Sequence, residues 1–488
     1  MELLSRFDFS EEEIRALPPG RLLSMEIEFT RKCNYRCPYC YAVETDSDGA
    51  DAADEMTEEE IRSAIRQASE LGARKIVVLG GEPLVYPRLN EMIDLISDLG
   101  MGCEIFTNGG LMTPERAAFF FSRGCRVVVK LNTFKPEIHD RMTGRKNSLS
   151  LALGALEMLR AAGYRHLKKM LGAATVLSSL NIDEAVGMWK FLRDHNIEPY
   201  FECITPQGRL LEHRTLLPEP EKVKRVFEEI AALDEQYGHH WKPQPPLVGQ
   251  RCFRHCYSCV VESRGTVVPC VGLNEPIGSI REKPLREILL DSMILRKLKN
   301  YRKYIKSPCR ECSDFDHCYG CRGAAWQMTG DYLAADPTCW KNAAKEKEIA
   351  VLPVDARAYI PHKPPVAMVS EIVHIADSGG DIRSVIAEEC VFADEHGVLD
   401  NAALIELAAQ SVAALNGFMT SGSIPDGMLV EVNRFSCHAP VKTGECVTTR
   451  FVTTTEFLPW HIIDFEIFGG DGKRKAEGVL KLCVPDEK

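Results

Sequence analysis

The 488-residue sequence contains no apolar run approaching the roughly 18 residues of a membrane-spanning helix. Its first residues, Met1 to Glu13, are acidic and lack the basic and apolar regions of a secretory signal. Positive charge is in deficit: 59 Lys and Arg stand against 70 Asp and Glu, a formal net charge of -11. A phosphate backbone is therefore disfavoured as the main partner, and no nucleic-acid role is expected. These absences imply a cytoplasmic protein with no membrane span, in a compartment where thiols stay reduced. What the chain does hold in quantity is cysteine, 19 residues, nine of them between Cys252 and Cys339. In a reducing compartment such a count indicates metal sites rather than disulfides. At 45% hydrophobic and 26% charged, the composition is that of a soluble globular protein, long enough for two to four domains.

Three cysteines, Cys33, Cys37 and Cys40, follow the apolar run Leu23 to Phe29 in the stretch Cys-Asn-Tyr-Arg-Cys-Pro-Tyr-Cys. Thiolates are the protein ligands of iron–sulfur clusters. Three of them leave one iron of a four-iron cluster open to a substrate or cofactor, whereas a closed four-cysteine site only carries electrons. A zinc knuckle, or three unconnected buried thiols, would also fit the spacing alone.

Strand and helix patterns then alternate. A short acidic helix comes first, Ser10 to Leu17, with Ser10 and Glu13 able to form a capping box. Strands read Met25–Thr30, Lys75–Leu79, Cys103–Thr107, Val127–Leu131, Met170–Val176 and Pro199–Ile204. Amphipathic runs separate them near Thr57–Leu71, Arg88–Leu99, Pro114–Ser122, Ser148–Ala162 and Ile182–His195, several with capping or stop signals. Six such units predict a parallel sheet with right-handed crossovers, curled into a partial barrel. Its site should lie at the C-terminal strand ends. The cysteine loop follows strand one, Gly80-Gly81-Glu82-Pro83 strand two, and Thr107-Asn108-Gly109 strand three; Lys130 and Asn132 end strand four, and Pro206-Gln207-Gly208 follows strand six. Glycines admit close backbone approach, and one carboxylate at a strand end can hold an ammonium group. A tight turn with a solvated Glu is the plainer reading of that motif.

The cysteine loop, with Tyr39 before its third cysteine, and the Gly-Gly-Glu-Pro turn resemble the radical S-adenosylmethionine (SAM) superfamily. The resemblance implies a four-iron cluster on Cys33, Cys37 and Cys40. It also implies a SAM amino group held by Glu82 and the Gly80–Gly81 backbone, and a cofactor positioned by Tyr39 and the turn through Pro83. Thr107 and Asn108 become candidate contacts to polar edges of the cofactor. Relatives often carry Ser-x-Asp at the end of strand four; here Lys130 and Asn132 occupy those places.

A helix from Glu219 to Tyr237 and a Pro-rich bend lead to Cys252, Cys256 and Cys259. A hairpin should follow, and a two-residue turn at Arg264-Gly265 would set Cys259 opposite Cys270, close enough to share a metal. Cys309, Cys312, Cys318, Cys321 and Cys339 complete the series. Similar paired cysteines occur in zinc ribbons. The pattern resembles the SPASM extension of radical SAM enzymes, which implies two auxiliary four-iron clusters. One would take Cys252, Cys270, Cys321 and either Cys256 or Cys259; the other would take Cys309, Cys312, Cys318 and Cys339. Cys103, Cys125, Cys203, Cys390, Cys437, Cys446 and Cys483 are read as small buried hydrophobes.

Beyond Pro353 the pattern turns to alternating strands around one apolar helix, Asn401 to Phe418, expected to be buried. Strands are expected at Met428–Asn433, Cys446–Thr454, His461–Phe468 and Gly478–Cys483. Glu406 and Gln410 share a face of the helix, and a carboxylate on a buried helix needs a partner or a use. The stretch 358–484 resembles the hotdog-fold 3-hydroxyacyl-carrier-protein dehydratases. That family pairs a helix carboxylate with a histidine fourteen residues earlier. Glu406 fits the carboxylate, Phe392 stands at the histidine's place, and His362 and His396 are the nearby substitutes.

The expected organisation is an N-terminal helix (1–22), a partial α/β barrel (23–240), a cysteine-rich extension (241–342), a linker (343–357) and an α+β hotdog domain (358–488). The expected function is reductive cleavage of SAM to a 5′-deoxyadenosyl radical that abstracts hydrogen from a substrate. The hotdog domain favours an acyl thioester on an acyl carrier protein or coenzyme A. A peptide or protein maturase with a dimerising or binding hotdog domain is a second reading. An iron–sulfur electron-transfer protein that never cleaves SAM is a third, and a zinc-stabilised binding protein a fourth. A low-potential electron donor of flavodoxin or ferredoxin type is an expected partner, and a homodimer through 358–488 the expected assembly.

Overall fold

The computed structural model describes residues 4–42, 54–343, 352–376, 379–419, 427–457 and 460–483. Two compact units emerge: one of residues 1–327 and 332–346, the other of 328–331 and 347–488.

In the first unit six strands lie parallel in chain order: β1 (Ser24–Glu28), β2 (Lys75–Leu79), β3 (Gly102–Thr107), β4 (Arg126–Lys130), β5 (Leu171–Leu177) and β6 (Glu198–Cys203). Helices cover the sheet, so β1 and β5 are buried at every position; β5 is mostly apolar along its length, whereas β1 alternates, with Ser24 and Glu26 on the cavity side. The Glu58–Glu70 helix starts at a reciprocal capping box, with the Glu60 N–H donating to Thr57 Oγ1 at 3.3 Å and the Thr57 N–H to Glu60 Oε2 at 2.7 Å. Helix Pro136–Thr143 lies outside the expected set, as do Leu285–Asp291, Met293–Lys299 and Arg322–Thr329 in the cysteine-rich stretch, and of these Pro136–Thr143 could have been read. Its signals are present in the sequence: proline at the first turn and Gly144 in the left-handed region beyond the last.

The cysteine-rich stretch is built into this same unit. Strand β7 (Val260–Val261) pairs parallel with β1, and β8 (Thr266–Val268) and β9 (Gly278–Ser279) extend the sheet in antiparallel sense. The hairpin register corrects one expectation. Val260 faces Val268 and Val261 faces Val267. The Glu262 N–H donates to Thr266 O and the Gly265 N–H to Glu262 O, both at 2.8 Å, so the turn holds three residues, not two. A one-residue change in register moves side chains to the other face. Cys259 is therefore not opposite Cys270; it is fully buried in the barrel core, among Ile27, Val261 and Val267.

The second unit has a seven-stranded antiparallel sheet in the order β10-β11-β12-β14-β15-β16-β13. Its strands are β10 (Val354–Asp355), β11 (Glu371–Ala376), β12 (Gly379–Val385), β13 (Met428–Cys437), β14 (Cys446–Phe457), β15 (Trp460–Gly469) and β16 (Arg474–Cys483). The Asn401–Met419 helix buries Leu404, Leu407, Ala408 and Leu415 in a core shared with Ile372, Ile382, Phe451 and Phe465. Among the described helices it is long and apolar enough to cross a membrane by length and composition, but it is the core helix of this sheet. Strands β11 and β12 were not expected; Gly379 and Gly380 interrupt the apolar pattern there. Of the expected linker, 344–351 lies outside the described residues, and Val354–Asp355 already pairs in the sheet.

Candidate functional site

The loops at the C-terminal ends of the parallel strands converge on Cys33–Cys40. The turn after β2 reaches it by backbone: the Gly81 N–H donates to Thr30 O at 2.8 Å and the Glu82 N–H to Lys32 O at 2.9 Å. A Cβ on Gly81 would stand 2.1 Å from Lys32 O, and one on Gly208, after β6, 2.3 Å from Cys40 O. Only glycine fits at either point. The glycine requirement in the Gly80–Pro83 motif is thus met first by packing on the cysteine loop.

Glu82 is 1% exposed and accepts three hydrogen bonds: from the Leu84 N–H at 3.1 Å, Thr107 Oγ1 at 2.5 Å and the Asn108 N–H at 2.8 Å. Burial raises its pKa, and these three donors pull it back. Thr107 and Asn108 therefore fix the carboxylate. Asn108 Nδ2 also donates to Asn34 Oδ1 at 2.8 Å, inside the cysteine loop. Asn132 is fully buried; its Nδ2 donates to Tyr39 Oη at 2.7 Å and its Oδ1 accepts from the Val176 N–H at 3.2 Å. Lys130 Nζ lies 5.8 Å from the Tyr39 ring centroid and 4.0 Å from Glu202 Oε1.

One cavity of about 770 Å³ is lined by Cys33, Cys37, Cys40, Tyr39, Gly80, Gly81, Glu82, Thr107, Asn108 and Lys130. It reaches Tyr200, Glu202, Arg254 and Cys252. Pro83 and Asn132 stand behind the wall. Cys203, expected to be buried filler, faces this cavity. Three side-chain atoms of wall residues are buried without a hydrogen-bond partner, Tyr35 Oη, Glu26 Oε2 and Arg126 Nε. Burial pushes Cys33 up to about 11 and Cys37 up to about 12, with the neighbouring thiols adding to both. Crowded, desolvated thiols of this kind give up their protons to a bound cationic centre.

The nine later cysteines sort into two sets and a remainder. Cys252 is the electrostatic neighbour of Cys256, Cys270 and Cys321. Cys309, Cys312, Cys318 and Cys339 line one small cavity with Asp314 and Lys341. Backbone N–H groups point at several sulfurs: Leu273 at Cys270 Sγ (3.2 Å), Gly320 at Cys318 Sγ (3.3 Å), Ala324 at Cys321 Sγ (3.3 Å) and Asp336 at Cys309 Sγ (3.4 Å). Such donors suit thiolate ligands and tune a cluster's potential. The donor sets fit iron–sulfur clusters, although among the described residues no three His, Cys, Asp or Glu side chains already close on a metal-sized point.

In the second unit His362 Nε2 lies 3.6 Å from Glu406 Oε1, and His362 Nδ1 is buried without a partner. Gln410 Nε2 donates to Glu406 Oε1 at 2.9 Å while Gln410 Oε1 accepts from the Met368 N–H at 2.9 Å. Glu406 is one-third exposed rather than buried, since it sits where the helix face meets solvent. His396 is 79% exposed beside Glu395. Cys446 is exposed, not buried, at the start of β14, while Cys103, Cys125 and Cys390 are buried as expected.

Comparison with known proteins agrees with this arrangement. Residues 27–192 match the radical SAM superfamily, residues 252–313 the SPASM iron–sulfur cluster-binding domain, and residues 354–487 the ApeP dehydratase family. The chain carries a radical SAM domain. It is an enzyme of that superfamily with a SPASM extension and a C-terminal dehydratase-type domain. An AdoMet-dependent heme synthase of Methanosarcina barkeri is 28% identical over 345 residues, covering 65% of this chain and 96% of that protein. Among solved structures, Streptococcus suis SuiB bound to the precursor peptide SuiA matches with a TM-score of 0.51 and 16% identity, over 66% of this chain and 76% of that one. The protein anSMEcpe with bound AdoMet and the Cp18Cys peptide matches with a TM-score of 0.52 and 17% identity, over 66% and 94%. At these identities the structural matches speak for the fold.

Proposed function

We propose that Cys33, Cys37 and Cys40 hold the SAM-binding cluster, that Cys252, Cys256, Cys270 and Cys321 hold one auxiliary cluster, and that Cys309, Cys312, Cys318 and Cys339 hold the other. The observation that carries this reading is the single cavity joining the first cysteine loop, Glu82 and Cys252. When bound, cluster and SAM supply one-electron cleavage to a 5′-deoxyadenosyl radical, which takes a hydrogen atom from the substrate. The chain's part is binding and orientation. A carboxylate offers about four lone-pair sites; with three used, Glu82 keeps one for the SAM ammonium. Lys130, over Tyr39, is the cation available to the SAM carboxylate. Gly80, Gly81 and Pro83 shape the turn, and Asn132 locks Tyr39.

His362 and Glu406 form the acid–base pair of the second unit. On a 3-hydroxyacyl thioester, one takes the proton from the carbon beside the carbonyl and the other protonates the leaving hydroxyl. The products are the 2-enoyl thioester and water. An acyl carrier protein or coenzyme A thioester is thus the substrate class of this unit, and the expected substrate of the radical step. The charged groups Lys130, Glu202 and Arg254 on the cavity wall favour a second reading, a peptide substrate for the radical step.

The test is iron and sulfide content with dithionite-dependent SAM cleavage, on wild type and on the Cys33/Cys37/Cys40→Ala variant. Roughly twelve irons falling to roughly eight, with cleavage lost, is the expected result for three four-iron clusters; zinc in place of the auxiliary iron would overturn it. For the second unit, conversion of a 3-hydroxyacyl thioester that Glu406→Gln and His362→Ala both abolish is expected. Unchanged conversion in both variants would remove the pair from catalysis.

A further inference from the structure

Between positions 293 and 310 the chain carries seven Lys and Arg and no Asp or Glu, within a protein of net charge -11. The Met293–Lys299 helix buries Ile294, Leu295 and Leu298 and leaves Arg296 exposed, while the Lys299 ammonium is partly desolvated and has Cys256 and Cys259 as charge neighbours. The following Tyr301–Tyr304 helix buries nothing and exposes Arg302 and Lys303. Arg302 pairs with Asp316. Among the described residues, Arg296, Lys299 and Lys303 have no carboxylate partner. Two large apolar side chains are exposed in the same segment, Met293 (50%) and Tyr304 (44%). Cations around exposed apolar anchors are the make-up of a protein-docking face for an anionic partner.

This face has aromatic rings beneath it. The Met293–Lys299 helix packs against the short helix Arg254–Tyr257, which carries Cys256. Tyr301 lies on Tyr319, with ring centroids 5.0 Å apart. Tyr319 stacks on Phe253 at 5.6 Å and an interplanar angle of 16°, and its hydroxyl hydrogen-bonds His255 Nδ1 at 2.8 Å. Tyr319 stands between Cys318 of one set and Cys321 of the other, and Phe253 follows Cys252. A continuous aromatic layer thus runs from the basic surface to both auxiliary cysteine sets, and Cys252 opens on the cavity that holds Cys33, Cys37 and Cys40.

We propose that the 293–310 face is the docking site of an acidic one-electron carrier protein, which passes its electron through the Tyr301–Tyr319 layer to the auxiliary cysteine sets. This rests on the reading that those cysteines hold iron–sulfur clusters. Each encounter oxidises the carrier by one electron and reduces the chain by one; no bond is made or broken. An acyl carrier protein is also acidic. The aromatic layer favours the electron carrier, and so does the membership of this face in the first unit, whereas His362 and Glu406 belong to the second.

The test uses the full chain, wild type and Arg296→Glu/Lys303→Glu, both exposed positions away from the cysteines. Binding of a purified acidic flavodoxin or ferredoxin is titrated at several salt concentrations, and the rate of cluster bleaching by the reduced carrier is followed beside bleaching by dithionite. Wild-type binding and carrier-driven bleaching should weaken as salt rises. The double variant at low salt should lose about tenfold in both, as expected when an electrostatic docking face is reversed. Iron content and the dithionite rate should stay at wild-type levels. Equal carrier binding and bleaching in the two proteins at all salts overturns the proposal. Loss of acyl-carrier-protein binding with carrier bleaching unchanged overturns it as well, and assigns the face to the other partner. If wild type loads no iron at the auxiliary cysteines, the cluster reading itself has failed, which iron analysis shows independently of docking.

Discussion

Gly81 shows how little room the cysteine loop leaves. A methyl group there would meet Lys32 O at 2.1 Å, and backbone on both sides cannot yield as a side chain would. Gly81→Ala is therefore expected to displace the loop and lower iron content by roughly four per chain, the complement of one cluster, while auxiliary-site iron is retained. His139 gives a pH signature. It is 1% exposed, its Nδ1 contacts Ser148 Oγ at 2.7 Å, and burial pushes it down from 6.5 to about 4. Above pH 6.5 it is neutral folded or unfolded and costs nothing. As pH falls from 6.5 towards 4 only the unfolded chain takes the proton, so folding stability declines. Between pH 7 and pH 5 the loss is about 2 kcal/mol. Denaturant midpoints of the full chain should fall less over that interval in His139→Gln than in wild type. At this scale the meeting of the three-cysteine loop with the Gly-Gly-Glu-Pro turn was legible, because both follow parallel strands and so fall at the same end of the sheet. That Glu82 spends three of its lone pairs on Leu84, Thr107 and Asn108 was not, because those donors come from loops whose meeting depends on strand order. His362 was visible only as one of two substitutes. It lies 44 positions before Glu406, and no helical or strand period spans that gap.

The hairpin of β7 and β8 separates the environments of two thiols, Cys256 and Cys259, between which the proposed ligand set chooses. Its turn of three residues places Cys259 in the apolar core and leaves Cys256 beside Cys252. Cys256→Ala should lose iron and part of the auxiliary cluster absorption. Cys259→Ala should keep both, at a packing cost on the order of 1 kcal/mol. Turn length is the weakest part of a sequence reading: Arg264-Gly265 serves a two-residue turn or the end of a three-residue one equally well. The long helices were easier, since capping boxes and terminal glycines mark them. Helix Pro220–Glu235 is tied to helix Ala185–Asp194 through Asp234, which accepts from Trp189 Nε1 (2.7 Å), Trp241 Nε1 (3.0 Å) and Arg193 Nε (3.0 Å). Asp234→Ala leaves two indole N–H groups without their acceptor and the Arg193 guanidinium with Glu198 as its remaining carboxylate, and should cost roughly 1–3 kcal/mol, measured as the shift in chemical denaturation.

For the molecule as a whole, the first unit holds every proposed cluster ligand and the second holds His362 and Glu406. Glu406→Gln should therefore leave dithionite-dependent SAM cleavage at the wild-type rate, and Cys33/Cys37/Cys40→Ala should leave thioester dehydration at its own. Coupled loss of both activities in either variant would show that neither unit works alone. The change of fold after residue 353 was legible from the change of period. The merging of the cysteine-rich stretch into the barrel sheet was not, because two-residue strands such as β7 carry no periodicity.

The contact of Gly208 on Cys40 also has a consequence in time. The cysteine loop is sealed by a segment made 168 residues after it, and of the two proposed auxiliary sets one is complete at Cys321 and the other at Cys339. At roughly 5–20 residues per second of synthesis, Cys33, Cys37 and Cys40 leave the ribosome about ten to thirty seconds before the loop that covers them exists. Throughout that interval they are bare thiols on a nascent chain, open to oxidation or to the wrong metal. A cell making this protein must either keep them reduced and metal-free during synthesis or deliver iron and sulfide only once the last strand of the barrel is in place.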